Sequence, residues 1–146
     1  MLSLPQLTRE ASLAEKSGGG KVRCLACAHR CLTAPGGYGR CGARFNEGGS
    51  LKSPWGYVSG AASDPIEKKP FFHVLPGART LSFGMFGCNF HCGFCQNWQI
   101  TDVKAAGLLK PLETSPGELV SRALADGAKV LVSTYNEPLI TAEWAA

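Results

Sequence analysis

The sequence has no long run of apolar residues near its amino terminus. Four charged side chains interrupt the apolar positions of the first 16 residues, namely Arg9, Glu10, Glu15 and Lys16. A secretory signal or a membrane-spanning helix needs an uninterrupted apolar stretch. We therefore expect a cytoplasmic protein without a membrane partner.

Dense runs of basic residues are also missing. The formal net charge is only +4, and the tightest basic clusters are Lys68-Lys69 and Lys21 with Arg23. Nucleic-acid-binding proteins usually concentrate their positive charge in a patch or a stripe. We expect no nucleic-acid partner.

Features that accompany disulfide bonds are absent as well. The chain has seven cysteines, an odd number that would leave one unpaired, and it shows no sign of export to an oxidising compartment. Clustered cysteines in a cytosolic chain more often bind metal than form disulfides. A hydrophobic share of 45% and a charged share of 18% allow an ordinary core. We expect a globular protein with metal-binding cysteines.

The sequence divides into three parts. Residues 1–60 are predicted to form an N-terminal helix over residues 4–16, a cysteine-rich lobe and a β-hairpin over residues 41–60. Residues 61–78 contain several prolines and are predicted to be an ordered connector. Residues 79–146 are predicted to begin an α/β unit.

The third part alternates between the patterns of strands and helices. Its capping box, Ser115-Pro116-Gly117-Glu118, opens a helix that ends at Gly127. Alternating strands and helices predict parallel βαβ units. Because two strands cannot close such a sheet, and the last residues carry no stop signal, we interpret the chain as the N-terminal part of a longer protein. The other predicted elements are a strand over 80–83, a helix near 96–105, a strand over 129–133 and a helix over 138–146.

Three of the cysteines lie in one short segment after the first of these strands. Cys88, Cys92 and Cys95 follow one another at intervals that a helix would place along one face. Gly84 and Gly87 disfavour a helix and favour a loop whose backbone approaches a bound object. Three converging thiolates repel one another unless a cation neutralises them. The segment therefore predicts a metal site.

The number of cysteines in this loop bears on the kind of metal. A structural zinc site needs four ligands, and His91, the one local candidate for a fourth, is adjacent to Cys92 and poorly placed to bind with it. Three cysteines suit a [4Fe–4S] cluster with one iron left open. The alternative is a binding module without catalysis, stabilised by zinc at both sets of cysteines.

The C-x3-C-x2-C spacing, with aromatic Phe94 before the last cysteine, resembles the signature of the radical S-adenosylmethionine (SAM) superfamily. The resemblance implies an α/β fold, the N-terminal portion of a partial (β/α) barrel. It also implies that Cys88, Cys92 and Cys95 hold three irons while SAM chelates the fourth. One electron from the reduced cluster would then cleave SAM to a 5′-deoxyadenosyl radical that abstracts hydrogen from a substrate.

Other segments narrow the resemblance. From about Cys24 to the last residue, the chain is similar to the AmmeMemoRadiSam-system radical SAM proteins, relatives of the pyruvate formate-lyase activating enzymes. That similarity implies an iron-dependent oxidoreductase, an electron donor such as flavodoxin or ferredoxin, and a protein as one candidate substrate. The segments that carry it are Asp64-Pro65-Ile66-Glu67-Lys68-Lys69-Pro70, Pro76-Gly77, Gly87-Cys88-Asn89-Phe90, Cys95-Gln96-Asn97-Trp98 and Tyr135-Asn136-Glu137-Pro138.

The same resemblance suggests residues that contact SAM. Phe94 occupies the position of an aromatic residue near the adenine, although packing under the cluster explains it equally well. Related enzymes have a Gly-Gly-Glu segment that grips the methionyl amino group, and Tyr135-Asn136-Glu137 stands in its place. Glu137 matches directly, and Asn136 is inferred by position. The alternative role for Glu137 is a carboxylate at a helix N-terminus.

A second set of cysteines lies earlier in the chain. Cys24, Cys27, Cys31 and Cys41 form a group of four followed by the predicted hairpin. Structural zinc is the preferred interpretation, because a short lobe with little core gains stability from a metal. An auxiliary iron–sulfur cluster and metal-free reduced thiols are the alternatives.

Overall fold

The computed structural model describes residues 4–102 and 109–146, which form a mixed α/β fold of small sheets and short helices. Its strands are β1 (Thr8–Glu10), β2 (Ala14–Lys16), β3 (Val22–Cys24), β4 (Leu32–Thr33), β5 (Phe45–Glu47), β6 (Ser50–Pro54), β7 (Tyr57–Val58), β8 (Gly60–Pro65), β9 (Arg79–Gly84), β10 (Leu112–Glu113) and β11 (Val130–Ser133). The described strands form the sheets β1-β6-β5, β2-β3-β4, β10-β7 and β11-β9-β8.

The helices in the described part of the chain are few and short. The α-helices are α1 (Trp98–Thr101), α2 (Pro116–Ala125) and α3 (Ala142–Ala145), and the 3-10 helices are Leu4–Gln6, Ile66–Lys68 and Pro138–Thr141. Within residues 4–102 and 109–146, no helix has the length and apolar character needed to cross a membrane.

The predicted N-terminal helix over residues 4–16 is wrong. After one 3-10 turn the chain forms β1, which pairs with β6, and β2, which pairs with β3. Between them, the backbone N–H of Ala11 donates to the carbonyl of Leu51. A helix of this length is only marginally stable by itself, whereas strand pairing satisfies the same backbone groups and buries Leu7 and Ala11 in two cores.

The predicted hairpin over residues 41–60 is confirmed in its central part. β5 and β6 pair antiparallel across Gly48 and Gly49, whose φ angles of 59° and 89° suit glycine. The second strand is shorter than predicted. It ends at Pro54, and β7 pairs instead with β10.

The first residues of the predicted connector over 61–78 form a strand. All six residues of β8 pair antiparallel with β9, in register from Gly60 opposite Gly84 to Pro65 opposite Arg79. No alternation of buried and exposed positions marks β8 in the sequence, because all of its residues are half-buried or exposed. The extended conformation of β8 is therefore determined by its pairing with β9.

The predicted parallel βαβ unit is confirmed for β9, α2 and β11. β11 pairs parallel with β9 from Val130 opposite Thr80 to Ser133 opposite Phe83. α2 begins with the predicted capping box, in which the side chains of Ser115 and Glu118 bond reciprocally to backbone N–H groups. Because β9 and β11 are parallel, their carboxyl ends meet at one edge of the sheet, which is where the site lies.

The remaining predicted helices are only partly reproduced. Of the helix predicted near 96–105, Trp98–Thr101 is helical, and residues 103–108 lie outside the described part of the chain. The helix predicted over 138–146 begins as a 3-10 helix at Pro138 and becomes α-helical at Ala142. Trp144 of α3 packs edge-on against Phe83 of β9, with ring centroids 5.8 Å apart.

Candidate functional site

A cavity of about 640 Å³ opens at the carboxyl ends of β9 and β11. The three cysteines of the loop after β9 and the residues after β11 lie on its wall together. This is the edge where parallel sheets usually bind ligands. Its lining residues are Arg40, Cys41, Gly42, Cys88, Phe90, His91, Cys92, Cys95, Asn97, Trp98, Thr101, Asp102, Tyr135, Asn136 and Glu137.

The three predicted cluster ligands differ in exposure. Cys88 is buried, Cys95 is half-buried and Cys92 is exposed. The backbone N–H of Cys95 donates to the carbonyl of Cys92 at 3.2 Å, which closes a tight turn between them. The loop therefore presents one deep thiol and two thiols nearer to solvent along one cavity.

Two of the thiols have polar partners. The backbone N–H of Glu137 donates to Sγ of Cys88 at 3.4 Å, and Sγ of Cys95 lies 3.5 Å from Oγ1 of Thr101. The backbone just after β11 therefore contacts Cys88, the most buried of the three cysteines.

Asn136 fastens the cysteine loop to the end of β11. Its Nδ2 donates to the carbonyl of Gly87 at 2.8 Å, and its Oδ1 accepts from the backbone N–H of Met85 at 3.3 Å. Its amide is buried with both of these backbone partners. The expectation that Asn136 contacts SAM stays a prediction, while its observed contacts position the residue before Cys88.

Glu137 lies on the cavity wall and is half-buried. Its Oε1 accepts from the backbone N–H of Leu139 at 3.4 Å, which makes it the N-cap of the Pro138–Thr141 helix. This contact is the alternative role considered from the sequence. A carboxylate at the cavity edge retains further acceptor capacity, so a contact with the amino group of SAM stays a prediction.

Phe94 is 89% exposed, and it does not line the cavity. The structure therefore brings it neither to the cavity wall nor into a core beneath the cysteines. Its neighbours Phe90 and Trp98 do line the cavity, although each is 57% exposed. The predicted contact between Phe94 and an adenine stays a prediction.

Tyr135, together with Lys69 and Asp64, forms a polar group beside Glu137 that the sequence did not indicate. Tyr135 lines the cavity with a φ of 71°, a conformation unusual for a bulky residue. Nζ of Lys69 lies 3.4 Å from its hydroxyl oxygen, 5.0 Å from its ring centroid and 3.0 Å from Oδ2 of Asp64. Hydrogen bonds from Lys68 and Lys69 hold the pKa of Asp64 below its ordinary value. The unusual φ has no sequence signal, because tyrosine does not favour it.

The second set of cysteines lines a separate, very small cavity of about 10 Å³. Cys24, Cys27, Cys31 and Cys41 all lie on its wall, and Cys41 also lines the larger cavity. Burial raises the pKa of the Cys24 and Cys41 thiols above the ordinary value for cysteine. The four cysteines predicted to form one group are therefore adjacent in space.

A buried ion pair joins this lobe to the end of the chain. Arg44, 1% exposed, donates from both terminal nitrogens to the carboxylate of Glu143 and from Nε to the carbonyl of Ile140 at 2.8 Å. Burial opposes both charges, but their mutual bonds raise the pKa of Arg44 and lower that of Glu143. The partners are 99 residues apart, so no local sequence pattern indicated the pair.

The three cysteines of the loop after β9 line the larger cavity. Among residues 4–102 and 109–146, no three His, Cys, Asp or Glu side chains already stand close enough to hold one metal ion. The cysteines of an iron–sulfur cluster each bind a different iron and need not converge on one point. Three thiols around a roomy, open cavity are compatible with that geometry.

Comparison with known proteins adds one relative. An uncharacterized protein of the archaeon Methanocaldococcus jannaschii is 38% identical over 137 residues, which cover 93% of this chain and 41% of that protein. The chain thus spans about two fifths of the length of the relative it matches. No family model matches the chain, and no solved structure matches it.

Proposed function

We propose that this chain supplies the cluster-binding part of a radical SAM enzyme, in which Cys88, Cys92 and Cys95 hold a [4Fe–4S] cluster. The observation that carries the proposal is the common cavity of these cysteines and Glu137 at the carboxyl ends of two parallel strands. A donor set of three thiols leaves one iron of such a cluster open. When bound, the cluster would supply the electron that cleaves SAM.

The residues of the chain have distinct roles in this proposal. Cys88 binds at the bottom of the cavity, where the N–H of Glu137 stabilises its negative charge. Asn136 holds the loop in place through Met85 and Gly87. The carboxylate of Glu137 offers an acceptor for the positively charged amino group of SAM, whereas Phe94, exposed and away from the cavity wall, would have to move to reach the adenine.

The rest of the enzyme is proposed on the same basis. The β9-α2-β11 unit would be the start of a (β/α) barrel. The reaction would be hydrogen abstraction from a substrate, a protein being one candidate, with flavodoxin or ferredoxin as the class of electron donor. A cytoplasmic location accords with the oxygen sensitivity and thiolate ligands of such a cluster.

The proposal is tested by reconstituting the chain with iron and sulfide without oxygen, then recording the electron paramagnetic resonance (EPR) spectrum of the reduced protein with and without SAM. We expect about four irons per chain, a spectrum that changes when SAM is added, and loss of the cluster in Cys92→Ser. His91→Ser is the matched control, because it changes an exposed side chain next to Cys92 that the proposal does not assign as a ligand, and it should keep the signal.

Two results would contradict the proposal. One is a Cys92→Ser protein that assembles the same cluster with the same response to SAM. The other is a colourless protein with zinc bound through Cys88, Cys92 and Cys95 and no acid-labile sulfide, which would support the alternative of a binding module without catalysis.

A further inference from the structure

We propose that Cys24, Cys27, Cys31 and Cys41 form a closed single-ion site that holds structural zinc. The site is distinct from the proposed cluster and does not depend on it. The evidence is that four cysteines line one cavity, together with the size of that cavity and the guanidinium of Arg44 on its wall.

Two turns bring the four cysteines together. In the first, the backbone N–H of Arg30 donates to the carbonyl of Cys27, and the N–H of Cys24 donates to the carbonyl of Cys31. In the second, the N–H of Gly42 donates to the carbonyl of Gly39, which places Cys41 in a tight turn. The turns face each other, since a Cβ built at Gly39 would lie 3.8 Å from Sγ of Cys31. Paired cysteine-bearing turns are the usual framework of a zinc site.

The size of the cavity favours one ion over a cluster. Its volume of about 10 Å³ is close to that of a single water-sized sphere. Four sulfurs at about 2.3 Å from a central zinc need no more room than this. A four-iron cluster would need the lobe to expand, whereas the 640 Å³ cavity at the other cysteines already has that room.

Neighbouring groups favour a metal with four thiolates. Such a site carries two net negative charges, and the buried guanidinium of Arg44 lies on its wall. Asn89 lies there too, 5% exposed, and its buried Oδ1 has no hydrogen-bond partner among the described residues. An unpaired buried acceptor is unfavourable, and a site of net negative charge does not relieve it, so Arg44 is the neighbouring group that favours four thiolates.

The four thiols do not yet stand at ligand distance, since no group of three in the described residues meets the requirements of a single ion. Cys27 and Cys31 are partly exposed, whereas Cys24 and Cys41 are buried, so the proposal requires the side chains of Cys27 and Cys31 to turn inward when the metal binds. Their mutual approach is unfavourable without a cation. Metal binding and ordering of the four side chains would therefore occur together.

The test measures metal content and thiol protection in the intact chain. We expect about one zinc per chain, and a tetrahedral thiolate spectrum when cobalt replaces zinc. Alkylation followed by mass spectrometry should find the four cysteines protected until a strong chelator is added. This measurement needs no variant, so it remains decisive if cysteine substitutions prevent folding.

Two variants assign the site. Cys27→Ser should lose the zinc, whereas a triple Cys88→Ser, Cys92→Ser, Cys95→Ser protein should keep it even though the proposed cluster is gone. The proposal is overturned if all four thiols react at once in the metal-loaded chain, or if zinc survives in Cys27→Ser. Iron with acid-labile sulfide in the triple variant would overturn it in favour of an auxiliary cluster.

Discussion

Gly87 lies directly against the carbonyl oxygen of Cys41. A Cβ built at Gly87 would stand 2.6 Å from that oxygen and 2.8 Å from Cβ of Ala43, and the φ of Gly87 is 90°. The residue before Cys88 is therefore in contact with the last cysteine of the other set. His29 adds a second contact, with Nε2 3.2 Å from the carbonyl oxygen of Asn89. The two sets of cysteines form one packed unit.

This contact predicts the effect of Gly87→Ala. The added methyl group has no room, and its backbone conformation alone costs about 1–3 kcal/mol in a residue other than glycine. We expect reduced stability and loss of iron incorporation at Cys88, measured by thermal unfolding and iron analysis. Gly93→Ala is the control in the same loop, because a Cβ there meets nothing within 4 Å. Equal iron contents in the two variants would contradict the prediction.

Asn136→Ala should separate the cysteine loop from β11. It leaves the N–H of Met85 and the carbonyl of Gly87 without their partner, at about 1–3 kcal/mol for each buried group. Denaturant unfolding should show this loss. Asn97→Ala, which removes an amide from the same cavity without a side-chain cap bond, should be much milder. If the two variants are equally stable, the hydrogen bonds of Asn136 to Met85 and Gly87 do not stabilise the fold.

The two adjacent lysines should behave differently. The side chain of Lys69 is 8% exposed and contacts both Asp64 and Tyr135, whereas that of Lys68 is 66% exposed. We expect Lys69→Met to lower stability by about 1.5–3 kcal/mol, the usual range for a hydrogen bond to a charged group. Lys68→Met should have little measurable effect. Unfolding curves that change equally for both would contradict this difference.

The Arg44–Glu143 pair should make stability depend on pH. Because Arg44 lowers the pKa of Glu143, the contribution of the pair is complete above the ordinary glutamate pKa of 4.5. It is lost as the pH falls through the lower pKa of the folded state. Glu143→Gln should therefore cost about 3–5 kcal/mol at neutral pH and flatten the acid limb of the stability profile.

Glu47→Gln is the control for that experiment. Glu47 pairs with Lys52 at 3.4 Å, and its side chain is 64% exposed, so its removal should change stability by less than about 1 kcal/mol. An acid limb of equal slope in the Glu143→Gln and unsubstituted proteins would show that the buried pair does not control it.

Local sequence signals predicted the part of the fold that carries the proposed site. Each local pattern predicts the conformation of its own segment. These patterns are the capping box at Ser115, the apolar strand 129–133 and the glycine- and cysteine-rich loop. The structure contains the corresponding elements β9, α2 and β11. The parallel pairing follows from their order in the chain. Cys88, Asn136 and Glu137 therefore lie near one another at the carboxyl ends of β9 and β11.

Distant contacts account for what the sequence did not predict. The helix expected over residues 4–16 is replaced by strands whose partners are β6 and β3, and β8 forms because β9 offers it an edge. The Arg44–Glu143 pair depends equally on distant residues. Asn136 was expected to bind a ligand by analogy of position, yet its two backbone bonds within the fold became visible only in the structure.

The central claim is that three thiols leave one iron open to SAM, and Mössbauer spectroscopy tests it most directly. The chain is reconstituted with 57Fe and its spectrum is recorded before and after SAM is added. We expect about one quarter of the iron absorption to change, reporting one iron without a cysteine ligand. A spectrum in which SAM changes no iron, or a protein that binds no iron at Cys88, Cys92 and Cys95, would contradict the claim.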